Sequence, residues 1–147
     1  MNRKDANLAR RAWREMSALV LSQDRKLAVS EELGLSFARI RALRRLAERP
    51  QTLRALAAEL TADPPYVTLI VDDLEELGLV KRTPHPDDRR AKLVQLTPAG
   101  RAAAARADAI LDEPPAALRD LPATDLATLL HVLGRLQPHE VEKPADS

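Results

Sequence analysis

At 147 residues, 45% of them hydrophobic, the chain is long enough for one domain, or one domain with an added dimerisation element. A net charge of +1 does not by itself announce a nucleic-acid partner, so the distribution of charge has to be read along the chain. With no cysteine, disulfides, thiolate metal sites, cysteine nucleophiles and thiol-based redox sensing are all excluded.

The first segment, from Asp5 to about Leu27, repeats apolar residues at Leu8, Ala12, Met16, Leu19 and Val20, the spacing of one helical face. The pattern breaks over Ser30 to Leu35, where Gly34 permits a turn. Ser36 then suits the N-cap of a second helix with Phe37, Ile40, Leu43, Leu46 and Ala47 on its apolar side, ended by Pro50. A short third helix, Leu53 to Leu60, starts after Thr52, whose hydroxyl can cap free backbone N–H groups. Asp63 as N-cap and Pro64 at the first helical position open a fourth, with Val67, Ile70, Val71, Leu74 and Leu77 as its buried stripe. Gly78 stops it as a left-handed residue just past the helix end.

Leu79 to Thr83 and Arg90 to Leu96 alternate with period two around the turn Pro84-His85-Pro86-Asp87-Asp88, which predicts a β-hairpin. Thr97-Pro98 begins a fifth, alanine-rich helix to about Leu111. Pro114-Pro115 interrupts the chain, and Pro122 to Leu136 supplies a sixth helix. The tail from Gln137 is polar and is expected to be flexible. Trp13, Phe37 and Tyr66 are the only aromatic residues, so leucine, alanine and valine must fill the core. The N-terminus lacks the apolar stretch of a signal peptide, and the longest apolar run, Leu126 to Gly134, falls short of the ~20 residues of a membrane span. A soluble, cytoplasmic protein is expected.

The expected fold is thus mainly α with a small β-hairpin, a winged helix-turn-helix with a helical dimerisation region. Residues 34–97 form the DNA-binding lobe, 1–33 and 98–137 the dimerisation region, and 138–147 a flexible tail. The tight turn Thr61-Ala62-Asp63 sets the fourth helix across the third, where it can enter a major groove. The hairpin carries Lys81, Arg82, Arg89, Arg90 and Lys92 against Asp87 and Asp88, charges suited to phosphate contact or to a narrow minor groove. A solvated edge strand is the bland alternative.

The signature LEELGLVKR followed by DDRRAKLVQLTPAG, spaced after a proline-containing helix, resembles the MarR family of bacterial transcriptional regulators, over roughly Leu33 to Ala102. The resemblance implies a homodimer on a pseudo-palindromic operator in double-stranded DNA, with the terminal helices interlocked and an arginine of each wing in a minor groove. Asp88 and Arg90 match the family's wing Asp-x-Arg pair, so Asp88 is expected to brace the arginine. It also implies a repressor that responds to a small, often aromatic ligand between the dimerisation helices and the lobe. By helix order, Trp13, Met16 and Phe37 are the candidates for that pocket, with plain packing of Trp13 as the alternative. Packing of the terminal stripes on their own domain is the alternative to a dimer.

One feature departs from the family. Its recognition helix commonly carries basic residues one and five places after a conserved threonine, positions held here by Leu69 and Asp73. From Pro50 to Val80 one positive charge, Arg54, stands against six negative ones, Glu59, Asp63, Asp72, Asp73, Glu75 and Glu76, a net of −5. Affinity is therefore expected from the wing, and from Arg39, Arg41, Arg44, Arg45 and Arg49 on the second helix. Thr52, Pro65, Tyr66 and Thr68 remain candidate DNA contacts, by packing on a thymine methyl or through a hydroxyl. A winged-helix dimer that binds another protein, with degenerate DNA binding, is the alternative function. The scattered His85, His131 and His139 predict no metal site, and the four dispersed glycines no nucleotide loop. Asp87-Asp88 sits on a loop without a pocket, so neither an enzyme nor a cofactor is expected.

Overall fold

The computed structural model describes residues 2–22 and 24–137; the expected flexible tail, 138–147, lies outside them. Among these residues the backbone divides into two compact units, 2–113 and 114–137. The first holds α1 (Arg3–Leu21), α2 (Arg25–Leu33), α3 (Phe37–Glu48), β1 (Gln51–Thr52), α4 (Leu53–Leu60), α5 (Pro64–Glu76), β2 (Val80–Pro84), β3 (Lys92–Leu96) and α6 (Pro98–Leu111). The second holds α7 (Ala116–Arg119) and α8 (Ala123–Leu136). No helix among the described residues is long and apolar enough to cross a membrane.

Several helix ends follow from side-chain capping. The hydroxyls of Ser36, Thr52 and Thr97 accept the backbone N–H groups of Arg39, Ala55 and Gly100. Gly34 and Gly78 take positive φ values of 64° and 75°, where a side chain would be strained. Asp63 occupies the N-cap of α5 without a side-chain cap bond, so Pro64 and the backbone set that start instead. The expected single first helix is two: the chain breaks before Asp24, whose carboxylate accepts the Leu27 N–H at 3.1 Å and starts α2. That second helix runs on to Leu33, through the stretch expected as a break.

The sheet has three antiparallel strands in the order β1-β3-β2. Val80 faces Leu96 and Pro84 faces Lys92 across the hairpin, while Gln51 pairs with Val94. The third strand, β1, is only two residues long and leaves no periodic trace in sequence. It anchors the α3–α4 connection through buried Gln51, whose amide donates to Arg45 O and Glu59 Oε2.

The main core is aliphatic. Leu43, Leu46, Leu56, Val67, Ile70 and Leu74 are joined there by Val80, Val94 and Leu96 from the hairpin. A smaller cluster, Val29, Ile40 and Ala107, ties α2 and α3 to α6. Each such leucine or valine removed from water contributes about 1.5–3 kcal/mol. By contrast α1 and α8 bury no residue, and α1 makes no substantial packing on any other element among the described residues.

The start of α6 lies directly on the hairpin's entry. A Cβ built on Gly100 would fall 1.9 Å from the Leu79 carbonyl oxygen, which is backbone and cannot move aside cheaply. Gly100→Ala should therefore lower unfolding stability by about 3 kcal/mol, read as a shifted midpoint in urea denaturation.

Candidate nucleic-acid interface

The sharp turn between α4 and α5 is made by Thr61, held at φ 51° and ψ 48°, an uncommon conformation for a β-branched residue. It directs α5 away from α4 and leaves Tyr66 and Leu69 exposed by 47% and 61%. Pro65 is exposed beside them. Thr68 turns its hydroxyl back to donate to Pro64 O at 3.0 Å. Asp63 stands at the N-cap of α5 without a side-chain cap bond, and the first helical turn itself carries no acidic residue.

The wing tip is organised by short-range bonds. The Asp87 N–H donates to His85 Nδ1 at 3.0 Å, and His85 N–H donates to Ala91 O. Asp88 accepts the backbone N–H of Arg90 at 2.9 Å. The brace expected of Asp88 thus acts on the turn's backbone and not on the guanidinium, an Asx arrangement that fixes where the side chain leaves the chain. Arg89 and Arg90 are exposed and enter no ion pair among the described residues. Arg90 and Lys92 line a cleft of about 340 Å³ together with Thr52, Leu53 and Arg54 at the start of α4. Thr52 Oγ1 already accepts the Ala55 N–H there, which leaves its hydroxyl proton available.

Arg82 is placed differently from its expected role. Its Nη2 lies 2.5 Å from Asp72 Oδ1 and its Nη1 2.9 Å from Glu75 Oε1, while its backbone N–H donates to the other Glu75 oxygen. A guanidinium so engaged, with 19% of its side chain exposed, links β2 to α5 and has little left for phosphate. Lys81 remains exposed on the same strand.

Sequence reading missed this pairing of charge. Arg39 binds Asp73 across 34 residues, and Arg49 binds Glu59. Arg44 Nε lies 2.6 Å from Asp108, so the arginines of α3 are not the free positive face that their number suggested. Four of the six carboxylates between Pro50 and Val80, namely Glu59, Asp72, Asp73 and Glu75, are ion-paired. Counting the partners Arg39, Arg49 and Arg82, three positive charges, reduces the local net from −5 to −2. Spacing within one helix could not reveal partners supplied by three other elements.

Trp13 and Met16 lie on α1, Trp13 exposed by 67%. Phe37 instead packs against Val29, Ile40 and Ala107, with the Lys26 ammonium 5.0 Å from its ring centre. Among the described residues, α1 makes no substantial packing on the elements that hold Phe37. No group of three or more histidines and carboxylates among the described residues could hold a metal ion.

Two helices set across one another, followed by a basic hairpin, define a winged helix-turn-helix protein. A model of the MarR family matches residues 35–92. Over 93 residues the chain is 33% identical to a putative transcriptional regulatory protein for the hcr operon of Thauera aromatica. That match covers 63% of this chain but 56% of the relative, so the chain spans little more than half the relative's length. The fold is similar to YusO of Bacillus subtilis, with a TM-score of 0.70 at 25% identity over 89% of this chain and 95% of that one. It is also similar to a probable transcriptional regulator from Pseudomonas aeruginosa, TM-score 0.56 and 32% identity over 79% and 90%. The chain belongs to the MarR family.

Arg82→Ala should cost about 1 kcal/mol, because it removes a guanidinium shared by two half-exposed carboxylates. Amide hydrogen exchange should quicken through the wing, residues 81–92, before the rest of the lobe. Arg82→Lys should restore only part of both effects, since an ammonium lacks the planar fork.

Proposed function

We propose that the chain is a homodimeric, sequence-specific regulator of transcription that binds double-stranded DNA with α5 and the wing. The observation that carries this reading is the exposed start of α5, whose first turn holds no acidic residue beyond the N-cap Asp63, beside a wing tip that presents Arg89 and Arg90. A helix N-terminus and two guanidiniums are complementary to phosphates on either side of a groove. Lys81, Lys92 and Thr52 add contacts along the backbone, while Pro65, Tyr66 and Thr68 face bases. Three of the four carboxylates of α5 are held back by Arg39 and Arg82, so they weaken this reading less than their number implies.

Dimerisation is supported by apolar faces that one chain leaves uncovered. Leu8, Trp13, Val20 and Leu21 of α1 are each more than half exposed, and so are Leu130 and Leu136 of α8. A second copy would cover such surfaces and set two α5 helices at the roughly 34 Å spacing of successive major grooves. The family resemblance favours a repressor released by a small aromatic ligand. Trp13, Met16 and Phe37 line its pocket in this reading, completed by the partner subunit. The cytoplasm is where such a protein would meet its operator.

Selection of bound duplexes from a random pool, followed by anisotropy titration across salt, tests the reading. A palindromic winner with a log–log salt slope of about −7 is expected for a dimer that neutralises about eight phosphates. Failure to enrich any duplex would favour a protein partner instead. Arg90→Ala should weaken binding by at least about 3 kcal/mol per dimer, as two charge-assisted contacts are lost. It should also reduce the slope by about 2.

Sedimentation equilibrium of the whole chain should give a dimer mass at micromolar concentration. Leu130→Glu, which places a charge on the exposed α8 face, should shift that equilibrium to monomer without loss of helical signal in circular dichroism.

A further inference from the structure

The side chains of α5 are almost devoid of hydrogen-bond donors. Its sequence, PPYVTLIVDDLEE, contains no arginine, lysine, histidine, asparagine, glutamine or tryptophan. The Thr68 hydroxyl proton is engaged with Pro64 O, which leaves the Tyr66 hydroxyl as the remaining donor. The familiar bidentate contacts, arginine or lysine to guanine and asparagine or glutamine to adenine, are therefore unavailable from this helix. Of the carboxylates that could accept from a cytosine amino group, Asp63 stands at the N-cap and the others, Asp72, Asp73, Glu75 and Glu76, stand in the last two turns. Asp72 and Glu75 are tied to Arg82, and Asp73 to Arg39.

Leu69 follows Tyr66 by three residues and shares its face. A leucine 61% exposed in the middle of a helix is unfavourable unless a partner covers it. The thymine C5-methyl is the apolar group that a base pair offers in the major groove. We propose that Leu69 is the specificity-determining residue of this chain and selects thymine by packing on its methyl, with Tyr66 beside it. The proposal rests on the DNA-binding reading above and names what that site reads. Affinity then comes from the wing and helix termini, and base choice from a non-polar contact.

The test uses the whole chain and the duplex it selects, with each thymine replaced in turn by deoxyuridine, which removes only the methyl. At the position that Leu69 covers, affinity should fall about fourfold per half-site, the equivalent of about 0.8 kcal/mol for one buried methyl. For Leu69→Ala, the thymine and uracil duplexes should bind equally, with the salt slope unchanged because no phosphate contact is lost. Leu69→Arg should move the selected base at that position to guanine. Equal binding of both duplexes by the wild-type chain would overturn the proposal, as would discrimination that survives in Leu69→Ala, while DNA binding itself stood. No salt-sensitive binding to any duplex would overturn the DNA reading with it and leave Leu69 on a protein-docking face.

Discussion

The Arg82 guanidinium joins the two parts of the lobe that must act together. With Asp72 on one nitrogen and Glu75 on another, it fastens the first wing strand to the C-terminal half of α5. Hydrophobic packing of Val80 against the core places the hairpin, but packing is non-directional, whereas a planar fork on two carboxylates fixes an angle. The wing tip then stands at a set distance from the exposed half of α5. Surface ion pairs are individually weak. This one differs in having a mostly buried guanidinium shared between two acceptors, although both carboxylates remain about half exposed.

The same contacts resolve an electrostatic difficulty within α5. Four carboxylates in its last two turns face the negative end of the helix dipole, an arrangement that destabilises the helix by itself. Arg82 and Arg39 sit where that negative potential is greatest and offset it. At the end directed toward the proposed groove the first turn carries no acid, and Asp63 at the N-cap is the lone carboxylate there. Charge on this helix is therefore sorted along its axis, with three of its four carboxylates paired to arginines toward one end and Tyr66 and Leu69 exposed toward the other.

Much of the lobe was legible in the chain because its signals are local. Ser36, Thr52 and Thr97 cap where their hydroxyls indicate, Gly78 ends α5 in the left-handed region, and the alternation of Leu79–Thr83 and Arg90–Leu96 becomes a paired hairpin. What escaped is non-local or below the resolution of a periodic pattern. Apolar spacing continues across residues 22–24 and hides the break that Asp24 caps. Strand β1 is two residues long, and its partner lies more than forty residues away. The roles of Arg39 and Arg82 were misjudged for a related reason. Charge counted along a segment treats each residue as facing solvent, yet Asp73 meets its partner only once α3 and α5 are packed.

These arrangements divide the two tasks of a DNA-binding protein between elements. Phosphate contact yields affinity for any sequence and rises with each uncompensated cation, so basic side chains on a reading helix strengthen non-specific binding as well. A helix whose side chains carry no net positive charge gains nothing from random duplex beyond what its dipole offers. In the proposed reading its preference then depends on whether the apolar surface of Tyr66 and Leu69 meets a methyl or a polar base edge. Because the genome presents a vast excess of competing sites, the ratio of specific to non-specific binding matters more than affinity alone. In the proposed reading, an α5 without positive side chains, held in place by arginines that are themselves neutralised, lowers the denominator of that ratio while the wing maintains the numerator.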